Sequence, residues 1–211
     1  MNNKFKNLNE LFLEYKKKKK EIQNRLHEFK QIPKNKYFYE MVFCIMTPQS
    51  SAKSAFKAQI KFEQSNLLKR NINPLKILFS KENYIRFHNL KAKYILQLKN
   101  NFIDVENTIH SKIPQNEKRE WIVKNINGLS YKEATHFLRN VGLNGELAIL
   151  DRHILRCLKK YGVIKNLPKT ISKKRYFEIE RKFQSFSNKI NIPINELDLL
   201  FWSQNTGEIL K

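Results

Sequence analysis

Lys124-Asn125-Ile126-Asn127-Gly128-Leu129-Ser130-Tyr131-Lys132-Glu133-Ala134 reads as a tight turn feeding a helix, and Leu150-Asp151-Arg152-His153 follows downstream. Gly128 can take a backbone conformation closed to other residues. The segment from Gly128 to Lys132 can therefore approach another backbone closely and turn successive N–H groups outward, an arrangement that holds a phosphate. Ser130 with Glu133 fits a capping box, and Ala134, Phe137, Leu138 and Val141 form an apolar stripe that stops at Gly142. The pattern over about 118–142 is that of a helix-hairpin-helix.

Two side chains in this region carry chemistry. Lys132 falls in the first turn of its helix, where the positive helix end disfavours an ammonium; with Lys124 close by, the amine can be partly neutral and nucleophilic near pH 7. Lys124 is the second candidate amine. Asp151 comes after the apolar Leu147 to Leu150 and before a helix read from Ile154, Leu155 and Leu158 to Gly162, so it is either an ordinary N-cap or a working carboxylate. Taken alone, a helix-hairpin-helix turn is more often a sequence-independent DNA clamp than a catalyst, and a lone lysine or aspartate is more often a solvated charge or a cap.

Composition sets the partner class. The 211 residues are 41% hydrophobic and 12% aromatic, enough for one globular unit or two small lobes around a core. With 41 Lys+Arg against 19 Asp+Glu the formal charge is +22, which makes a polyanion the natural partner. No apolar stretch approaches the roughly 20 residues needed to span a bilayer, and no secretory signal is visible, so a cytoplasmic, nucleoid-associated protein with no membrane partner is expected. Only Cys44 and Cys157 are present, far apart. That argues for buried thiols, against a zinc site or disulfide framework, and excludes a four-cysteine iron–sulfur cluster.

Few glycines and long runs with apolar residues three and four apart predict an all-α protein with short connections. Leu8 to Phe29 predicts a long or broken helix ending before Pro33, with Lys16 to Lys20 as a solvated face. Tyr37 to Met46 is a strongly apolar helix stopping at Thr47-Pro48; Ser51 to Phe62 resumes the pattern, and the break exposes Gln49, or is simply a loop whose Ser50 caps the next helix. Further helices are predicted over 74–79, 83–102, 104–109, 116–125, 173–186 and 195–204, with Pro114, Pro168 and Pro193 between them.

The hairpin stretch on to Gly142, the run Ile149 to Leu155, Phe43-Cys44-Ile45-Met46-Thr47-Pro48-Gln49-Ser50-Ser51-Ala52-Lys53-Ser54-Ala55, and the terminal Glu196-Leu197-Asp198-Leu199-Leu200-Phe201-Trp202, Thr206-Gly207 and Leu210-Lys211 together resemble the type 2 8-oxoguanine DNA glycosylase/AP lyases of archaea and some bacteria. The likeness covers nearly the whole chain. One departure stands out: the family usually has a second glycine where this chain has Ser130, and a left-handed conformation there would cost serine roughly 1 kcal/mol.

The resemblance implies a two-lobed helix-hairpin-helix glycosylase fold with the active site in the cleft between lobes: residues 1–30 with 150–211 as one lobe, 31–149 as the other, and Lys132 and Asp151 facing each other. It implies a monomeric base-excision repair enzyme, without metal or other cofactor, whose partner is double-stranded DNA containing 8-oxoguanine or abasic sites. An enzyme acting on a stacked base must extrude it, and Gln49 is the wedge candidate. Lys132 would attack C1′ and expel the base, leaving a Schiff base that permits β-elimination of the 3′ phosphate; Asp151 would supply a fixed negative charge or take up the lysine proton. His153 would hold a phosphate or orient Asp151, and Gly128 and Ser130 would contact DNA. The same likeness implies that Trp202 lines the base pocket and that Lys211 helps recognise the oxidised guanine, with Asp198 a further pocket candidate. Phe87 and His88 read as packing or backbone contacts. The competing readings are a same-fold glycosylase for another damaged base, which the tail motif disfavours, and a noncatalytic DNA-binding module, which would need neither Lys132 nor Asp151.

Overall fold

The computed structural model describes residues 5–207 and 209; Lys211 and Leu210 of the terminal motif lie outside the described residues. Eleven α-helices and a short 3-10 turn, with no strand, account for the regular structure among them. The helices are α1 Leu8–Lys30, α2 Tyr37–Met46, α3 Ala52–Gln64, α4 Leu75–Leu78, α5 His88–Asn100, α6 Phe102–His110, α7 Gln115–Asn125, α8 Tyr131–Asn140, α9 Arg152–Lys160, α10 Lys173–Ile190 and α11 Ile194–Thr206. None is long and apolar enough to cross a membrane. The chain forms two compact units, one from the residues up to Gln31 together with those from Gly142 onward, the other from Ile32–Val141.

In the central unit α2 is the core helix, and all ten of its residues are buried. Nine of its ten residues are apolar, and a helix apolar on nearly every side must be covered all round. α3, α5 and α8 supply that cover. The single acid on α2, Glu40, is buried with the rest of the helix and accepts hydrogen bonds from Gln59 Nε2 at 2.8 Å and Asn140 Nδ2 at 3.1 Å. Cys44 is buried in this helix, and neither it nor Cys157 forms a disulfide.

The other unit is held by α11, which packs against α1, α9 and α10. Aromatic rings fill the middle: Phe201 stacks on Tyr161 at 5.3 Å and on Phe183 at 5.7 Å. Polar ties fix the register of α1 on α11, with Tyr15 donating to Glu196 at 2.5 Å and Lys18 to Ser203 Oγ at 3.2 Å. Lys16, Lys17, Lys19 and Lys20 are exposed, the solvated face expected of that run.

Two departures from the sequence expectation have a cause visible in the structure; elsewhere helix ends shift by up to four residues, as where α10 runs on to Ile190. The helix predicted over 83–102 starts only at His88, because Phe87 sits in the left-handed region (φ 60°) and Asn83 uses its side-chain amide on the Ile77 carbonyl at 2.6 Å. The cap of α3 is Ser51, whose Oγ accepts from Ser54 N–H at 3.4 Å, and not Ser50.

Candidate active site

The hairpin turn is anchored from both ends and from beneath. Ile126 and Leu129 are buried on either side of Gly128. Gly128 has φ +85° and lies on the Tyr94 ring of α5; a Cβ here would stand 2.5 Å from Tyr94 Cδ2. Asn127 Nδ2 donates to Gln97 Oε1 on the same helix at 2.9 Å. Glycine is thus required twice, by conformation and by contact. α7 and α8 are further joined by Tyr131 Oη donating to Glu120 at 2.8 Å and by Arg119 reaching Thr135 Oγ1 at 3.2 Å.

Ser130 is the N-cap of α8 in extended backbone, φ −96° and ψ −176°. The left-handed conformation that would penalise serine is not adopted, so its replacement of the usual glycine costs the turn nothing. Glu133 folds back to close the capping box, accepting the Ser130 N–H at 3.2 Å and the Ser130 hydroxyl. The Ser130 amide is therefore satisfied inside the protein and does not point outward for a phosphate. The other oxygen of Glu133 lies 2.9 Å from Lys132 Nζ, whose side chain is 25% exposed. Burial pushes the Glu133 carboxyl up, but the Lys132 charge and the Ser130 hydroxyl outweigh it and leave it below the ordinary carboxylate value. Lys132 thus has a partner at rest: a fixed carboxylate that stabilises its charged form.

At the break between α2 and α3, Gln49 is exposed and left-handed, with φ 55°. The bend is closed by Ser50 N–H on Thr47 O at 3.1 Å. Roughly 1 kcal/mol of backbone strain at a non-glycine residue is retained here. The loop before α5 carries exposed aromatic rings: Phe87 is 49% exposed with the Arg86 guanidinium 5.0 Å from its centroid, and Phe79 and Tyr84 surround His88 at 4.7 and 5.6 Å. Phe87 is accordingly no packing residue.

The second set of candidates lies in the other unit, on α9 and α11. Asp151 is the N-cap of α9, extended at φ −87° and ψ 179°, and its Oδ1 accepts the Ile154 N–H at 2.8 Å. His153 packs edge-on to Trp202 with ring centroids 6.3 Å apart, and its buried Nδ1 has no hydrogen-bond partner among the described residues. His153 therefore does not orient Asp151 through that atom. Trp202 is half-buried on α11, and Asp198, one turn earlier, is buried. Cys157 binds α11 from the α9 side, its thiol 3.8 Å from Phe201 O. The structure thus gathers Gly128, Ser130 and Lys132 in one place, and Asp151, His153, Asp198 and Trp202 in another.

A profile of the 8-oxoguanine DNA glycosylase family matches residues 22–192. The chain belongs to this family. Curated relatives include the 8-oxoguanine DNA glycosylase/AP lyases of Fusobacterium nucleatum, 42% identical over 96% of this chain and 97% of its own, and of Methanocaldococcus jannaschii, 37% identical over 90% and 91%. Among solved structures, the 8-oxoguanine DNA glycosylase of Thermotoga maritima superposes with a TM-score of 0.85 at 30% identity, covering 97% of this chain and 98% of that one. The Methanocaldococcus jannaschii 8-oxoguanine glycosylase/lyase in complex with a 15mer DNA containing 8-oxoguanine gives 0.84 at 32% identity, covering 95% and 99%. The all-α helix-hairpin-helix fold expected of this glycosylase family is the one observed.

Sequence reasoning missed two residues of the hairpin neighbourhood. Glu133 was read only as half of a capping box, and nothing announced that its second oxygen would hold Lys132. Lys91 was not singled out, although it occupies the apolar register of α5 with Ala92, Ile95 and Leu98, a pattern that marks a lysine for burial.

Proposed function

We propose that this chain excises 8-oxoguanine from duplex DNA and nicks the resulting abasic site, with Lys132 the one amine that does both. The observation that carries the reading is the placement of Lys132 in the first turn of α8, beside the docked Gly128 turn and ion-paired to a buried carboxylate at 2.9 Å, in a chain whose family and curated relatives bear that activity by name. A DNA clamp needs backbone and exposed cations; it does not need a lysine held by a buried acid.

The reaction follows from these groups. The Lys132 ammonium first gives up its proton, and the free lone pair attacks C1′ of the extruded deoxyribose as the bond to the base breaks. The base leaves with the bonding electrons. Ring opening gives an iminium between Nζ and C1′, which acidifies C2′; loss of a C2′ proton expels the 3′ phosphate, and water releases the nicked product and regenerates the amine. Positive charge grows on the sugar as the base departs, and Asp151 is the carboxylate proposed to stabilise it, its second oxygen being the one outside the cap of α9. Gln49, strained and exposed, fits the wedge that replaces the extruded nucleotide. Trp202 is the stacking face for the purine, and Asp198 and Lys211 are the polar candidates for reading the base. The excess of cations supplies the attraction to DNA phosphates.

The decisive experiment is Lys132→Gln. Borohydride should cross-link the unmodified protein to a duplex carrying 8-oxoguanine and leave the variant untrapped and without strand cleavage, while gel-shift affinity for the lesion duplex stays within a few-fold. Trapping of the variant at the original rate would move the nucleophile elsewhere, with Lys124 next.

A further inference from the structure

A groove of about 950 Å³ lies in the unit that holds α9, α10 and α11. Its walls are the C-terminal end of α9 with the turn after it, Phe5 and Lys6, and one face of α10. Asp151 is at the other end of α9, nine residues or about 13 Å away along the helix axis. Seven of the fourteen lining residues are Lys or Arg, against 41 of 211 in the whole chain, and the one acid among them is Glu178. The excess of cations is therefore local to the groove rather than a share of the general basicity. The C-terminal end of a helix attracts cations, which accounts for Lys159 on α9 and Lys189 on α10, but not for Lys165, Arg175, Arg181 or Lys182.

The α10 wall has an order of its own. Arg175, Glu178, Lys182, Ser185 and Lys189 follow one another at three and four residues, so they form a single stripe about 21 Å long. Glu178 accepts from Arg175 Nη1 at 2.7 Å and from Lys182 Nζ at 2.8 Å, which partly cancels those two charges. Lys165, Arg181 and Lys189 are exposed and have no ion pair among the described residues; Lys189 lies over the Phe5 ring, 5.9 Å from its centroid. One strand of duplex DNA carries a charge about every 3.4 Å of its axis, so the stripe spans about six phosphates. A single small anion would leave most of that length unused. An acidic peptide would need apolar anchors, and the aliphatic side chains of the groove, Val163 and Ile164, are buried.

We propose that this groove is a second binding site for duplex DNA, gripping the phosphates of a segment other than the one whose base is excised. Cations without base-reading groups contact the backbone alone, so the site takes undamaged DNA of any sequence. Glu178 sets its strength, because it holds back two of the cations in the stripe. The inference rests on duplex DNA being the polyanion this chain binds, and on nothing about the nucleophile.

The test counts duplexes per chain. With a labelled, undamaged duplex of about 15 base pairs in excess at low salt, sedimentation should find two duplexes on the unmodified protein and one on the triple variant Lys165→Gln, Arg181→Gln, Lys189→Gln. The triple variant Lys16→Gln, Lys19→Gln, Lys20→Gln removes the same charge from the exposed face of α1 and should still bind two; melting curves report that both are folded. Glu178→Gln frees the two cations and should tighten the second binding by about 2- to 5-fold, the scale of one exposed ion pair. One duplex on the unmodified protein, equal losses in the two triple variants, or a second binding that Glu178→Gln leaves unchanged overturns the inference. So does displacement of the second duplex by polyglutamate or by an RNA duplex more readily than by unlabelled DNA, which would assign the groove to another polyanion. Single-turnover excision from a lesion duplex, protein in excess, should be the same for the groove variant and the unmodified protein; a loss there would put the groove on the reacting segment and overturn the inference as well. If the unmodified protein excises nothing, the proposed activity fails, and the count of duplexes still decides the second site.

Discussion

The two helix starts that carry the proposed chemistry, α8 and α9, obey the same capping rule and present opposite charges. Each N-cap is extended, Ser130 and Asp151 alike, and each orphan amide end is met by a side-chain oxygen. At α9 that oxygen belongs to Asp151, so negative charge sits at the positive end of a helix, where it is stabilised by about 0.3–1 kcal/mol. At α8 a cation, Lys132, occupies the same kind of position and is disfavoured by a like amount. It is held by Glu133, which also closes the cap. A carboxylate at a helix start needs no functional explanation; a lysine does, and the acid built in beside it is the structural cost of keeping an amine there.

The strongest way to break this comparison after Lys132→Gln is Asp151→Asn. Asparagine caps a helix as well as aspartate, so the start of α9 should survive and the melting temperature should stay within about two degrees. The negative charge alone is lost. If Asp151 stabilises the developing sugar cation, excision of 8-oxoguanine should fall at least about a hundredfold in single-turnover assays. Unchanged excision would reduce Asp151 to the cap its hydrogen bond already shows it to be.

How much of this was legible in the sequence depended on whether one local rule sufficed. The nine apolar residues of α2 gave its limits as observed, and Ser130 with Glu133 announced the cap of α8 through their spacing. Phe87 defeated the reading of α5, because the apolar periodicity continues through residues that the left-handed turn at Phe87 excludes from the helix, and no sequence rule marks a phenylalanine for that conformation. Ser50 and Ser51 are equivalent cap candidates by type, and tertiary contacts separated them: Ser50 Oγ is taken by Lys91 and Arg86. The pairing of Lys132 with Glu133 was hidden because neighbours at i and i+1 on a helix do not normally face each other; here the cap bends Glu133 back far enough to reach both.

A smaller effect separates base recognition from the lyase step. Trp202 lies against His153 on the α9–α11 side, and an abasic substrate offers it no base to stack on. Trp202→Ala should therefore slow excision of 8-oxoguanine by about 5- to 100-fold, the range of one lost stacking contact, and leave nicking of a preformed abasic site within a few-fold. Deleting Lys211 should act in the same direction. Equal losses on both substrates would make Trp202 a support of the fold.

The smallest expected effect sharpens the comparison most finely, because it asks whether the carboxylate at α8 acts by charge or only by hydrogen bonding. Glu133→Gln preserves the capping box, since glutamine at this position can still accept the Ser130 amide, but it leaves Lys132 without its counter-charge. At pH 7 the variant should be less stable by roughly 1–2 kcal/mol, the scale of a hydrogen bond to a charged group. The sign with pH is fixed by the lowered folded value of Glu133: its contribution is fully present above the ordinary 4.5 and is lost as pH falls through the depressed folded value. The unmodified protein should accordingly lose stability more steeply than Glu133→Gln below about pH 4.5, and the two unfolding curves should draw together at the acid end. Parallel acid limbs would mean that Glu133 holds α8 as a neutral cap would, and that Lys132 has no need of its charge.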